Sequence, residues 1–342
     1  MKEHFGVMTC LKKFERIENM KKLKFMLLLV LVFVLVPTVA SANSNTQPFK
    51  SSYLFPNFTV VNNNTYHINE TLLDTPNGLY KTGSNVSNYR LLAKGSFRNL
   101  QAYKNTLFVH DMENDYVAQY DVNGKLLKTL DNINSDRYQI YNNHIYYYDY
   151  YTSKIYRTNM DGTNRKLVVS TGNGYVDEFT IHNGYLYYIN QFQYNGGNKI
   201  EEFIYKVKLS QPNKPVKLTK PYYNLDSLVV QHGHIYIIAH KTKNDVLKGR
   251  HLYRMTYNGK QIQRLSSQKI DVGYAVGKNH IYFVQDTVGF NKDLYRMKTN
   301  GTQVKLYKKL FGAPASISSH RFQLFFVTNK GSKFVLQRIP IK

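Results

Sequence analysis

The chain has 342 residues, 42% hydrophobic and 14% aromatic, which excludes a disordered polymer and supplies enough apolar surface for a sizeable core. Its aromatics are thirty Tyr and nineteen Phe with no Trp, a bias towards strands. The formal charge of +24 favours anionic partners and says nothing about fold.

Reading from the N-terminus, residues 20–42, "MKKLKFMLLLVLVFVLVPTVASA", carry the parts of a secretory signal peptide. Lys21, Lys22 and Lys24 precede an uninterrupted apolar run from Phe25 to Val36, and Ala40-Ser41-Ala42 offers small residues for cleavage. The run is shorter than the about 20 residues a membrane-spanning helix needs. An uncleaved anchor is the competing reading, and Met20 is a plausible start. Residues 1–42 are thus expected to be a signal peptide, 43–50 a linker and 51–342 one domain of a secreted, extracellular protein. The only cysteine, Cys10, lies upstream of the cleavage point, so the exported chain would hold no disulfide and no thiolate metal ligand. Removing 1–42 takes seven Lys/Arg and three Glu from 46 and 22, leaving 39 basic and 19 acidic residues, net +20.

From residue 50 onwards the chain repeats itself. An apolar strand recurs at Tyr66-His67-Ile68, Leu107-Phe108-Val109, Ile145-Tyr146-Tyr147, Leu186-Tyr187-Tyr188, Ile235-Tyr236-Ile237, Ile281-Tyr282-Phe283 and Leu324-Phe325-Phe326. A second strand follows each, ending on Lys81, Gln119, Arg157, Lys206, Arg254, Arg296 and Arg338. Asn123-Gly124, Asp161-Gly162, Asn258-Gly259 and Asn300-Gly301 each sit five residues beyond, a strong hairpin signal. A further short strand precedes each apolar one, from "FTVV" at 58–61 to "SISS" at 316–319. Four short antiparallel strands in about 42 residues is the length of a propeller blade. The stretch "IYYYDYY" does not alternate, so both its faces must be covered, as in a sheet stacked between neighbours. The fold class is therefore all-β, a β-propeller with seven blades, or six if the first unit only caps the array. Residues 51–55, "SSYLF", are the candidate outer strand that completes the last blade.

The unit "IYYYD…KIYRTNMDGTNRKLV" resembles the YWTD β-propeller repeat of lipoprotein-receptor-type proteins, and its secreted bacterial relatives in particular. Ile145 to Asp149 stand where that family has Ile-Tyr-Trp-Thr-Asp, and Asn159-Met160-Asp161-Gly162 match its turn. At the family's Asp the seven units carry Glu70, Asp111, Asp149, Asn190, Ala239, Gln285 and Thr328, so its contact between blades cannot be regular here. The resemblance implies a binding scaffold with six blades per domain and brings no catalytic residue.

No nucleophile elbow, zinc-binding helix or phosphate loop is present, and no cofactor is expected. His144, His234 and His280 each begin an apolar strand, which reads as turn chemistry because equivalent positions spread around a ring. Asp111, Glu113 and Asp115 alternate as in a calcium loop but lack its Gly and distal Glu. Basic residues concentrate in the fourth strand of each unit, where they discourage edge pairing or hold an anionic wall polymer. The aromatics of the variable loops, Tyr150, Tyr151, Phe192, Tyr194 and Phe290, are the candidate binding residues. The expected function is a non-catalytic, monomeric binding module at the cell surface or wall, its partner a glycan, an anionic wall polymer or a protein. Nucleic acid and stable membrane insertion after cleavage are not expected. The alternatives are an extracellular polysaccharide hydrolase or lyase, or a structural component.

Overall fold

The computed structural model describes residues 57–69, 76–82, 89–194, 199–240, 250–285, 293–310, 316–320, 323–329 and 334–340. The expected signal peptide, linker and closing strand 51–55 lie outside the described residues, as do Phe290 and the side chain of Tyr194. The chain is an all-β propeller. Six sheets of four antiparallel strands follow one another in chain order, at 58–94, 97–130, 138–170, 175–217, 223–264 and 270–309, here blades 1 to 6. A seventh sheet, at 316–340, has three strands among the described residues. In every sheet the strands are ordered as they occur in the chain, so the first is innermost and the last outermost.

Each innermost strand packs on the innermost strand of the next sheet, and the last, Ser316–His320, meets the first, Phe58–Val61. The ring therefore closes. Among the described residues the unit with three strands is the last one; the first is a complete blade.

The stretch that breaks alternation does so because neighbours cover it on both sides. Ile145 and Tyr147 join Phe108, Val117 and Leu130 of blade 2, while Tyr146 and Tyr148 join Leu186, Tyr188 and Val207 of blade 4. All of Ile145 to Asp149 are buried. Full burial of one such side chain contributes about 1.5–3 kcal/mol, and the same two-sided packing recurs between the other sheets.

Two further contacts tie blade to blade. The third-strand position that carries the basic or amide residue reaches the hairpin of the next blade: Gln119 Nε2 donates to Met160 O at 2.7 Å, Lys206 Nζ to Tyr257 O at 3.0 Å and Arg254 Nη1 to Thr299 O at 2.8 Å. The hairpin glycine then packs on the outer strand of the preceding blade. Gly259 has φ of +77°, and a Cβ added there would lie 2.3 Å from Leu218 O, a backbone atom that cannot swing aside. Gly259→Ala is accordingly expected to lose roughly 2 kcal/mol in urea unfolding through positive φ and the clash together. A loss below half of that would mean the hairpin is free to shift outward.

Candidate functional site

The connections between blades and the loops from second to third strand share one face of the ring, the upper face; the Asn-Gly hairpins and the turns between first and second strands share the lower. At the upper end of the channel the innermost strands carry register shifts in blades 2, 4, 5 and 6. Such bulges re-aim side chains at barrel rims and sites. They expose a pattern set by distance from the second strand. Eight residues ahead of it stand Arg98, Asp136, Asp177 and Asp226 in blades 2 to 5, and seven ahead stand Asn99, Arg137, Glu178 and Ser227.

These residues form a belt from blade to blade. Arg98 Nη1 lies 3.4 Å from Asp136 Oδ2. Asn99 Nδ2 donates to the carbonyls of Asp136 and Tyr138, each at 2.8 Å, and Tyr138 Oη returns a bond to Asn99 O at 2.5 Å. Asn99 adopts φ of 51°, a conformation Asn tolerates better than most residues. Arg137 is the hub. Its Nη1 pairs with Asp136 Oδ1 at 3.3 Å, its Nη2 with Asp177 Oδ1 at 3.2 Å, and its Nε donates to Asp177 O at 2.5 Å. The Tyr150 hydroxyl bonds both Arg137 and Asp136. Farther round, Glu178 Oε2 accepts from Leu228 N at 2.7 Å, Tyr274 Oη donates to Ser227 O, and Asp226 pairs with Arg250.

Burial alone would lower the proton affinity of Arg137, but Tyr150, Tyr175 and Asp136 outweigh it and keep the guanidinium charged. Burial pushes the Tyr150 hydroxyl well above its ordinary value, so it stays a neutral donor to Asp136. Beside the belt Glu202 is buried; desolvation and then Asp177 raise its carboxyl, against hydrogen bonds from Leu225 N and Gln191. Both its oxygens are held, by Gln191 Nε2 at 2.8 Å and by Leu225 N.

The rings above the belt complete the site. Tyr150 stacks on Tyr175 with centroids 6.0 Å apart, and the Arg137 Cζ sits 5.4 and 5.1 Å from the two rings. Tyr175 is 38% exposed and Tyr151, next along the loop, is 79% exposed. Of the sequence candidates, Tyr150 lies against the belt with its hydroxyl bonded to Arg137 and Asp136, and Tyr151 follows it in the loop. Phe192 lies in the extended second strand of blade 4 and packs edge-on against Phe203 at 5.9 Å. The backbone of Tyr194 pairs with Lys199 at the tip of that hairpin.

Other candidates are turn chemistry. Asp149 Oδ1 accepts from the backbone N of Tyr151 and Thr152 at 3.0 Å, and Asp111 Oδ1 from Glu113 N and Asn114 N at 3.0 and 3.2 Å. Asp111 and Asp149 thus cap their own loops. The imidazole Nδ1 atoms of His144 and His234 lie 2.9 Å from the carbonyls of Asn142 and His232. Among the described residues no group of three or more His, Cys, Asp or Glu is placed to hold a metal.

Solved structures share this fold at low identity. The β-propeller domain of the Trilobed protease from Pyrococcus furiosus matches with a TM-score of 0.57 and 9% identity, covering 86% of this chain and 98% of that one. A puromycin-hydrolyzing peptidase from Mycobacterium tuberculosis matches at 0.63 and 10%, over 89% of this chain and 54% of its own, so this chain spans about half its length. Oligogalacturonate lyase from Vibrio parahaemolyticus matches at 0.50 and 7%, over 81% and 85%. No family model matches the chain, and no curated protein matches it in sequence.

Proposed function

We propose that the chain is a non-catalytic propeller that binds a glycan or a protein segment outside the cell, seating it on the upper face over blades 3 and 4. One observation carries this reading: Asp136, Asp177, Glu178, Glu202 and Asp226 are each tied to a cation or an N–H, while Tyr175 and Tyr151 stand exposed beside them. An acid and a base for glycoside cleavage must be free to exchange protons with the ligand. Asp136, Asp177, Glu178 and Glu202 instead join neighbouring blades and Asp226 pairs within its own, which makes a rigid floor under an aromatic platform. Tyr offers such a platform a flat apolar face and a hydroxyl at its edge. The apolar run at 25–36 supports export, and the YWTD-like unit at 145–168 supports a binding scaffold.

A hydrolase or lyase acting on polysaccharide is the second reading, favoured by the raised carboxyl of Glu202. It ranks lower because both oxygens of that group already serve the backbone and Gln191.

Binding of the full chain to a glycan and peptide array tests the first reading. The Tyr151→Ala/Tyr175→Ala variant is expected to bind its array ligand about tenfold more weakly, as befits two lost stacking contacts, and to stay folded with a lowered melting temperature because Tyr175 also stacks on Tyr150. Unaltered binding removes the platform from the site. Cleavage of any arrayed polysaccharide overturns the non-catalytic assignment.

A further inference from the structure

The ring is unevenly charged. Residues 97–225 hold fifteen Lys/Arg and twelve Asp/Glu, whereas residues 250–310 hold twelve and three, and no Asp or Glu lies between Asp293 and Lys342. Much of the blade 6 excess gathers at its lower edge. His280 opens the second strand opposite Lys298, and Arg296 of the third strand stands opposite both Tyr282 and Lys305 of the outer strand. Lys298 and Lys305 are exposed. Lys278 lies in the turn just ahead of His280.

Arg296 occupies the position from which Gln119, Lys206 and Arg254 clasp the next blade. Where Arg254 reaches Thr299 O, the Nε of Arg296 is buried without a hydrogen-bond partner among the described residues. Two imidazoles register the resulting field. His280 has its proton affinity lowered by partial burial and then by Arg296, Lys305 and Lys298; His232, on the adjacent turn of blade 5, by burial and then Lys278.

We propose that this lower edge of blade 6, with Arg296, Lys298 and Lys305 at its centre and Lys278 beside it, binds a linear polyol-phosphate polymer. The site is separate from the upper face and does not rest on the reading given above for it. Lysines set side by side across the lower ends of adjacent strands suit a chain of phosphodiesters, each ammonium taking one charge without fixed bidentate geometry. Nucleic acid fits less well, because single strands bind by stacking bases on open rings. Here Tyr282 is buried, and Tyr307 packs edge-on against it at 5.1 Å with the Arg296 Cζ 5.2 Å from its centroid.

Titration of the full chain with poly(glycerol phosphate) at several salt concentrations tests the site. Lys298→Glu/Lys305→Glu is expected to weaken binding about tenfold and to flatten the dependence of log K on log salt by about 2. A charge-matched control on other blades, Lys125→Glu/Lys166→Glu, is expected to change affinity less than about twofold. In the unmodified protein, saturating polymer is expected to raise the His280 titration midpoint followed by NMR, because phosphate cancels the cations around it. Equal losses in both variants would reduce the effect to net charge and overturn the site. So would an unmoved His280, no binding at low salt, or oligo(dT) binding at least as tightly as the polymer.

Discussion

Arg137→Met is expected to lower the free energy of unfolding by about 3–5 kcal/mol, the cost of leaving buried charges without their partner. The guanidinium is 13% exposed and faces Asp136 and Asp177, themselves 14% and 25% exposed. Methionine fills much of the same volume, so packing changes little while two carboxylates and the Asp177 carbonyl lose their donor. Asp136 retains Arg98 at 3.4 Å; the Asp177 carboxylate loses the guanidinium. Adding Asp177→Asn to the Arg137→Met chain should therefore recover part of the loss, whereas alone it should destabilise. Arg137→Lys is expected to fall between, since one ammonium cannot serve Asp136, Asp177 and the carbonyl at once. Urea midpoints for the four chains decide the matter. A loss below about 1 kcal/mol for Arg137→Met would show that the belt behaves as an exposed ion pair and does not hold the blades.

The belt also links stability to the binding face. Tyr175 keeps its place through Tyr150 and the Arg137 Cζ, and Arg137 in turn joins blades 3 and 4. The aromatic platform is thus fixed by charges beneath it, and the Arg137→Met chain should lose ligand affinity together with stability.

The blade pattern was legible in the sequence because two-sided burial leaves a mark that solvent-facing strands do not. "IYYY" has no polar face, and each of its side chains packs on one neighbour or the other. The Asn-Gly and Asp-Gly pairs fixed the phase because tight hairpins need positive φ, seen at 94°, 83°, 77° and 85° for Gly124, Gly162, Gly259 and Gly301. The belt was harder to see. Arg98, Asp136, Asp177 and Asp226 differ in sign and lie in connections of unequal length, so similarity search by apolar strands passes them over. Counting back eight residues from each second strand would have found them. Tyr175 opens an inner strand, away from the variable loops whose aromatics mark a ligand face in the sequence. The basic outer strands read in sequence as edges or polymer sites, yet two of their charges serve packing: the Lys217 Nζ lies 3.4 Å from the Phe203 centroid and the Arg165 Cζ 3.7 Å from that of Tyr156. A sequence records the cation and the ring but not that they meet.

The second large effect is one of pH. His67 lies in blade 1 on the side away from blade 2, since its neighbours Tyr66 and Ile68 pack with Leu107 and Val109 there. It therefore faces the seam where the first blade meets the seventh sheet. Its ring stacks with Phe58 at 5.8 Å and Tyr80 at 5.4 Å, with Tyr89 edge-on at 5.3 Å. Thr82 Oγ1 lies 3.3 Å from Nδ1, and Nε2 is buried without a partner among the described residues. Burial lowers its pKa from 6.5 to about 3. Above pH 6.5 both folded and unfolded chains are neutral there, and the histidine has no effect on stability. As pH falls through 6.5 the unfolded chain takes a proton that the folded chain refuses. Stability then drops by about 1.4 kcal/mol per pH unit, reaching a deficit of about 3 kcal/mol at pH 4. His67→Phe keeps the stack and removes the proton site, so its urea midpoint should fall much less between pH 6.5 and 4. His232 and His280, lowered less and far more exposed, should not mask the difference. If wild type and His67→Phe lose stability in parallel over that range, His67 accepts its proton in the folded state, and the seam between first and last sheets is open to water.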